Sequence, residues 1–269
     1  MSDTTFEPKH PRIQNGRHMF GWKKGGKDPR DKMLPVSMMG RFFMPAKVDL
    51  RQADKMPRVE DQGAIGSCTA NASTSAVEYL SIKQKHPVAE LSRLFLYYAS
   101  RVWTEGVPAS EDAGCVIRDV MKTLVRFGVC HESTWPYNPA KMASPPTPPA
   151  ITEAKKHVIV QYWRCPSLTA VKTSLAQGYP VVFGFQVPSS IDDDIVAKTG
   201  IVAYPKPNEE FVGGHAVLAV GYDNATQLIC FENSWGQAWG DKGYGYLPYR
   251  YFTDWLADDC WTIRAAQGA

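Results

Sequence analysis

The sequence predicts an α+β protein in which a mainly helical half is joined to a half rich in short strands. Helical periodicity dominates residues 68–127, strand-type runs dominate residues 158–247, and a proline-rich stretch at 139–149 separates them. With 269 residues the chain can bury a sizeable core as one large domain or two smaller ones. We expect residues 48–150 to form the helical domain and residues 151–269 the strand-rich domain.

Composition and charge exclude several functional classes. The chain is 44% hydrophobic and 21% charged, which is ordinary for a globular protein. Its net charge of +3 is too small to indicate nucleic-acid binding, and no apolar run approaches the ~18 residues of a membrane-spanning helix. We therefore expect a monomer with neither a nucleic-acid nor a membrane partner.

The first residues and the cysteines bear on the cellular compartment. Residues 1–6 lack the basic start and apolar core of a signal peptide, so we expect a cytoplasmic location or export by another route. The six cysteines contain no C-x-x-C pair, which argues against a zinc ribbon. If one of them is catalytic, the odd number left argues against a complete disulfide framework and favours a reducing compartment.

Residues 1–47 form an N-terminal extension with little periodicity. They hold six of the nine methionines, several of them near Phe42 and Phe43. Methionine and phenylalanine on an irregular strand suit adaptable docking into a groove. A disordered terminus explains the same composition equally well, so both alternatives stay open.

The helical half begins with a helix after Ser67, which is a good N-cap residue. Small or apolar side chains recur on one face at four-residue spacing: Cys68, Ala72, Ala76 and Leu80. This pattern predicts a tightly packed central helix. Two further helices are predicted at 92–103 and 117–127, and Gly128 is expected to end the second.

The strand-rich half follows the proline-rich stretch, which we expect to be an extended connector. One helix is predicted at 169–177. Short apolar runs bounded by turn residues predict five strands: 158–164, 180–187, 216–222, 228–232 and 244–247.

Cys68 lies in the sequence Asp61-Gln-Gly-Ala-Ile-Gly-Ser-Cys68, where glycines punctuate a turn just before the first helix. A helix N-terminus favours the thiolate through its dipole and its N–H groups, and the thiolate is the reactive form of cysteine. Taken alone, a buried and inert cysteine is the more common explanation. The glycines at 63 and 66 favour catalysis, because they let the backbone turn sharply and approach a substrate.

His215 opens an apolar run that leads to a turn cluster beginning at Asp223. If Asp223 pairs with Gln227 across a hairpin, His215 and Asn233 become diagonal neighbours on one face, and Trp235 lies across from the histidine. A slip of one residue would place His215 and Asn233 on opposite faces. With the assumed register, the hairpin supplies a base and an amide that orients it, as covalent catalysis requires.

These features together resemble the papain-like cysteine peptidases. Gly66-Ser67-Cys68 matches the sequence around the family's nucleophile, His215 lies 147 residues further on, and Asn233 another 18. The resemblance covers most of residues 46–264. It includes further matching motifs: Val48-Asp-Leu-Arg51, Gln62 six residues before the cysteine, Trp135-Pro-Tyr137, Gly221-Tyr222, and Asn233-Ser-Trp-Gly-x-x-Trp-Gly-x-x-Gly-Tyr244.

The resemblance implies a papain-like two-domain fold, with the active-site cleft between a helical left domain and a β-barrel-like right domain. It implies that Cys68 is the nucleophile and that His215 is its proton partner in a thiolate–imidazolium pair. Gln62 and the Cys68 backbone N–H would hold the oxyanion. Asn233 would orient His215, and Trp235 would cover that contact. The reaction needs no cofactor, and the expected partners are peptide or protein substrates.

The chain also departs from the family pattern near the expected cleft. Thr69 replaces an aromatic residue after the nucleophile, and Ile65 replaces a cysteine that usually forms a disulfide. Gly114-Cys115 stands where the family has two substrate-holding glycines, so we expect Cys115 near the cleft with Ile117 in the pocket wall. A buried cysteine after a turn explains residue 115 equally well. The remaining residues expected to contact substrate are Gly214 and Trp235.

No insertion resembles a loop that would impose exopeptidase action, so we expect an endopeptidase. Residues 1–47 are expected to lack the long helical signature of the family's prodomain. The apolar cluster just before Val48 suggests the further hypothesis that residues 1–47 occupy the cleft and inhibit the enzyme, as in a zymogen. A catalytically idle relative used for binding, or an enzyme that acts on a non-peptide acyl group, is the alternative. No metal site is predicted, because Asp192–Asp194 lacks the alternation of a calcium loop and the histidines outside the cleft lack metal-ligand spacing.

Overall fold

The computed structural model describes residues 19–35, 44–51, 56–86 and 89–267. Much of the Met/Phe-rich cluster before Val48, which includes Phe42 and Phe43, lies outside the described residues. Among the described residues, no helix has both the length and the apolar character needed to cross a bilayer.

The helices predicted in the first half of the chain are present, and the first of them is the central element of that half. In the described residues the helices are α1 (Cys68–Lys83), α2 (Arg93–Tyr98), α3 (Ile117–Arg126), α4 (Pro148–Ala154), α5 (Leu168–Ala176), α6 (Asp194–Thr199) and α7 (Arg250–Thr253). A π-helix (Ala99–Thr104) continues α2 directly. Residues 68–81 of α1 are all buried, because alanine, serine and threonine let neighbours approach from every side.

The second half is built on one antiparallel sheet. Its strands are β1 (Lys47–Asp49), β2 (Val158–Arg164), β3 (Val181–Pro188), β4 (Phe211–Asp223), β5 (Leu228–Glu232), β6 (Tyr244–Pro248) and β7 (Ala257–Gln267). The strand order is β2-β7-β3-β4-β5-β6, and β1 pairs with β4 outside this path. A group of helices in the first half combined with one antiparallel sheet confirms the α+β prediction.

The β4–β5 hairpin differs from the predicted register at its tip. Asp223 pairs with Leu228 rather than with Gln227. An irregularity between Ala219 and Gly221 inserts one extra residue into β4, so Leu218 pairs with Glu232, as the predicted register required. The bulge therefore restores the register on the side of the hairpin that leads to His215.

The proline-rich stretch is not extended throughout, which corrects the predicted connector. Residues Pro139–Lys141 form a short 3₁₀ turn, and α4 begins at Pro148. Proline at the first positions of a helix fixes a helical φ and needs no N–H partner, so the same residues that indicate a connector also start helices. The sequence prediction also missed β1, β7, α6 and α7.

Two apolar clusters form the core. The first surrounds α1, α2 and α3 and includes Trp22, and the second lies against the other side of the sheet and includes Leu34. The helix α1 packs directly on β4 and β7. This packing brings the first residue of α1 against the strand that carries His215.

Two carboxyl groups are buried in this packing, Glu78 on α1 and Glu232 on β5. The Ser75 hydroxyl donates a hydrogen bond of 2.6 Å to Glu232, and the Leu91 N–H donates one of 2.7 Å to Glu78. Burial raises the pKa of each carboxyl from 4.5 to about 8, since few favourable contacts compensate for the lost hydration of the charge. Both groups are therefore protonated in the folded protein at neutral pH.

This burial predicts a pH-dependent stability. Between pH 4.5 and 8 the folded state keeps these protons and the unfolded state loses them, so the free energy of unfolding falls as pH rises. The slope is at most about 1.4 kcal/mol per pH unit for each carboxyl. Glu232→Gln should flatten it. Urea unfolding at several pH values measures the slope, and Glu111→Gln, at an exposed carboxyl, is the control that should leave it unchanged.

Candidate active site

Cys68 is the first residue of α1, placed there by the preceding glycine-containing turn. Gly63 adopts a positive φ of 59°, a conformation that other residues rarely adopt. The Cys68 side chain is fully buried, and its Sγ accepts a hydrogen bond of 3.4 Å from the backbone N–H of Ala216. Because Ala216 follows His215 directly, this contact joins the thiol of one half of the chain to the backbone beside the imidazole of the other half.

His215 is held on β4 by contacts on two sides. Its Nε2 lies 2.7 Å from Asn233 Oδ1, and its ring stacks on Trp235 with centroids 4.6 Å apart. Asn233 Oδ1 also accepts the Ser234 N–H at 2.8 Å, which identifies this atom as an acceptor. His215 therefore donates its Nε2 proton to Asn233.

Gln62 is fully buried, and its amide is fixed by its neighbours. The Ser234 hydroxyl donates to Gln62 Oε1 at 2.6 Å, so the amide nitrogen points the other way. That nitrogen donates to the carbonyl groups of Met19 at 2.9 Å and Ile65 at 3.0 Å. The Tyr137 hydroxyl holds the Gln62 backbone carbonyl at 2.8 Å.

Residues 19–24, which we call the cleft segment, run between the two halves of the site. The Cys115 N–H donates to the Gly21 carbonyl at 2.8 Å, and the Cys115 carbonyl accepts the Lys23 N–H at 3.0 Å. On the opposite side the Trp22 N–H donates to the Gly214 carbonyl at 2.9 Å. The cleft segment is therefore hydrogen-bonded to both walls of the crevice.

The side chains of the cleft segment fill the crevice closely. Phe20 packs edge-on against the His215 and Trp235 rings, with centroids 6.1 Å from each. Gly21 passes so near the opposite wall that an added Cβ would lie 1.7 Å from the Gly66 carbonyl oxygen. Only glycine fits at position 21 without displacing the segment.

Trp22 enters a pocket whose base is formed by Asp259. The Trp22 indole N–H lies 3.5 Å from Asp259 Oδ2, which also accepts the Ile117 N–H at 3.2 Å. The Trp261 indole donates to the other carboxylate oxygen at 2.7 Å. Burial raises the Asp259 pKa, although the indole hydrogen bonds oppose this effect. Sequence reasoning missed Asp259, because no motif marks a buried acid on a late strand.

Burial under the cleft segment also affects the Cys68 thiol. It raises the pKa of the Cys68 thiol to about 11, although hydrogen bonds from the backbone N–H groups of Ala216, Gly21 and Thr69 act in the opposite direction. Cys68 is therefore a neutral thiol at pH 7 while the segment is in place. The expected effect of the helix N-terminus alone does not overcome the loss of hydration.

The structure brings the predicted site residues together around the cleft segment. Gly114 and Cys115 lie along one side, and an added Cβ on Gly114 would come within 2.1 Å of the Gly21 carbonyl oxygen. Cys115 is fully buried, and burial raises its thiol pKa well above the usual value. Ile117 is also fully buried and belongs to the same apolar cluster as Trp22. Gly214 bonds Trp22, and Trp235 covers His215.

All six cysteines lie within the described residues and all are unpaired thiols. Ile65 is buried close to the site. It stands where the family usually has a disulfide-forming cysteine, so the resemblance implied that this disulfide could not form here.

Comparison with known proteins identifies the family. The family model for papain family cysteine proteases matches residues 44–252, a span that includes Gln62, Cys68, His215 and Asn233.

Several known proteins are similar to this chain. An uncharacterised peptidase C1-like protein of Acanthamoeba polyphaga mimivirus is 37% identical over 91% of this chain and 86% of its own length. A cysteine protease of Blomia tropicalis is 28% identical over 76% of this chain, and the match spans 61% of that longer protein. Among solved structures, xylellain, a cysteine protease from Xylella fastidiosa, has a TM-score of 0.82 and 35% identity over 91% of this chain and 96% of its own.

The matched span and these similarities agree with the fold and with the side chains gathered in the crevice. The chain belongs to the papain family of cysteine proteases, which are hydrolases.

Proposed function

We propose that this protein is an endopeptidase that cleaves peptide or protein substrates through a covalent intermediate on Cys68. The observation that carries the proposal is the contact between Cys68 Sγ and the backbone beside His215, whose ring Asn233 orients. Residues 48–150 supply the nucleophile and Gln62, and residues 151–269 supply the base and Asn233. Substrate binds between them.

The reaction begins when the Cys68 thiol transfers its proton to His215 Nδ1. The thiolate attacks the scissile carbonyl carbon, and the resulting oxyanion is held by the Gln62 amide nitrogen and the Cys68 backbone N–H. The His215 imidazolium then protonates the departing amine, which leaves an acyl-enzyme thioester. Water activated by His215 hydrolyses that thioester and restores the thiol. Asn233 keeps the ring oriented throughout, and Trp235 shields their hydrogen bond from water.

The cleft segment keeps the enzyme dormant. The Met19 carbonyl uses the Gln62 donor that the oxyanion needs, and Phe20 covers the imidazole. The Gly21 N–H faces the sulfur and, with the rest of the segment, excludes a substrate. When the segment leaves, the sulfur regains hydration, its pKa falls, and the proton can pass to His215. The protein is then a zymogen regulated by its own N-terminal residues.

An endopeptidase needs a cleft that is open at both ends, and the contacts of the cleft segment support this. Residues 19–24 are an internal stretch of the chain, and the polypeptide continues beyond both ends of this stretch. A crevice that accommodates the middle of one chain can accommodate the middle of a substrate. The pocket that receives Trp22 has apolar walls, so we infer that it takes a bulky apolar side chain of the substrate.

A peptide that carries an electrophilic epoxide distinguishes the candidate functions. We expect it to add one equivalent of mass to the wild-type chain and none to Cys68→Ala, with hydrolysis of a mixed peptide library by the wild type alone. No labelling would favour an idle binding protein. Labelling without peptide cleavage would indicate an enzyme that acts on another acyl substrate.

Gln62 provides a test of the oxyanion site. Gln62→Leu removes the donor and keeps a similar shape, so we expect kcat to fall by about 100-fold or more with little change in KM. Steady-state hydrolysis of a fluorogenic peptide measures both parameters. Gln161→Leu, at an exposed position on β2, is the matched control. An unchanged kcat in a folded Gln62→Leu variant would contradict the assigned role.

Gly21 provides a test of the dormant state. Gly21→Ala places a methyl group against the Gly66 carbonyl, so the cleft segment must leave while the catalytic residues stay unaltered. We expect kcat/KM for a small fluorogenic peptide to rise several-fold, and the epoxide to label Cys68 faster. Gly26→Ala is the control, because an added Cβ there meets nothing within 4 Å. Equal rates for the two variants and the wild type would dismiss inhibition by the segment.

A further inference from the structure

Three potential metal ligands meet on the helical half, away from the cleft residues. They are His131, which follows the loop after α3, Glu153 in α4, and His157 just beyond α4. One ligand atom from each lies within 4.8 Å of the others. His131 Nδ1 is 3.1 Å from Glu153 Oε1, and the two imidazole rings have centroids 4.5 Å apart.

The backbone holds these three residues in place. The His131 N–H donates to Glu153 Oε2 at 3.2 Å, and the Val129 N–H donates to the His157 carbonyl at 3.1 Å. Gly128 brings the two segments together, since an added Cβ there would lie 1.9 Å from the Ala154 carbonyl oxygen. The cluster therefore follows from backbone contacts that need no metal to form.

The chemistry of the cluster suits one class of cation. Two imidazoles and one carboxylate match the His₂Glu ligand set that binds Zn²⁺, whereas Ca²⁺ and Mg²⁺ prefer oxygen ligands alone. The His131 and Glu153 side chains are 30% and 24% exposed, so an ion can enter from solvent.

We propose that His131, Glu153 and His157 bind a Zn²⁺ ion, whose fourth coordination position faces solvent. Zinc ligands at ~2.0–2.2 Å in a tetrahedral arrangement lie roughly 3.4 Å from one another, so small side-chain rotations close the cluster around the ion. The sequence analysis predicted no metal site, because the two histidines are far apart in the chain and their spacing matches no metal motif. Folding brings them together.

The site adjoins the segment that supports Gln62. The Trp135 N–H donates to the His131 carbonyl at 3.3 Å, and two residues later the Tyr137 hydroxyl bonds the Gln62 carbonyl and Ser67. A zinc ion joins this segment to the end of α4. Its role is to stabilise the helical half, and it takes no part in peptide hydrolysis.

Zinc titration of the full-length Cys68→Ala chain tests the proposal without interference from metal binding at the Cys68 thiol. We expect calorimetry to show one equivalent of Zn²⁺ bound, and saturating zinc to raise the melting temperature by about 5 °C or more. Adding His157→Ala or Glu153→Gln should weaken binding at least 10-fold. Adding His86→Ala, a histidine outside the cluster, should leave the affinity unchanged.

Further readouts separate this site from weak surface binding. We expect the His86→Ala variant loaded with Co²⁺ to show the visible absorption of a tetrahedral nitrogen–oxygen site. The His157→Ala variant should lack this absorption. Anomalous scattering at the zinc edge should place the ion between the three side chains. Equal zinc affinity in the ligand variants, equally tight binding of Mg²⁺, or no binding to the folded chain would overturn the proposal. Circular dichroism without metal checks that each variant is folded.

Discussion

The close packing of α1 against β4 is the constraint on which the rest of the structure depends. It requires a helix that is buried on every side, and residues 68–81 meet this requirement with small side chains. The result is the 3.4 Å contact between Cys68 Sγ and the Ala216 N–H, which joins the two halves at the crevice. The same packing buries Glu232 against Ser75, so a costly buried carboxyl lies one residue before Asn233.

Burial and reactivity oppose each other at Cys68. A thiolate needs hydration or an adjacent cation, and the closed crevice excludes water while the cleft segment covers the imidazole. The segment supplies some compensation through the Gly21 N–H, yet the thiol pKa stays near 11. The contacts that bury the thiol therefore also keep it protonated. In the regulation that we propose, a substrate competes with a segment of the same chain, whose effective concentration is high.

Sequence reasoning anticipated the elements with strong local patterns. It placed α1, β2 and β5 closely, and it predicted that His215 and Asn233 face each other. It could not foresee the bulge near residue 220, because nothing local distinguishes an inserted residue from a shifted turn. Asp259 and the cleft segment depend on long-range packing that leaves no periodic signal. Met/Phe composition indicated a docking segment, and among the described residues the part of the extension that lies in the crevice is 19–24, which begins with Met19 and Phe20.

The described contacts of the extension fall into two sets, one inside the crevice and one outside it. Residues 19–24 are held mainly by backbone hydrogen bonds and apolar packing, with ion pairs only at Lys23 and Lys24. Further along, Asp31 pairs with Arg118 and Arg164, and the Leu34 N–H bonds the Arg164 carbonyl. Asp258 pairs with both Lys24 and Arg164, so one carboxylate links the two sets of contacts. The release of the cleft segment that we propose breaks the Lys24 pair, whereas the contacts of Asp31 and Leu34 with Arg164 lie outside the crevice and keep the released segment tethered near it.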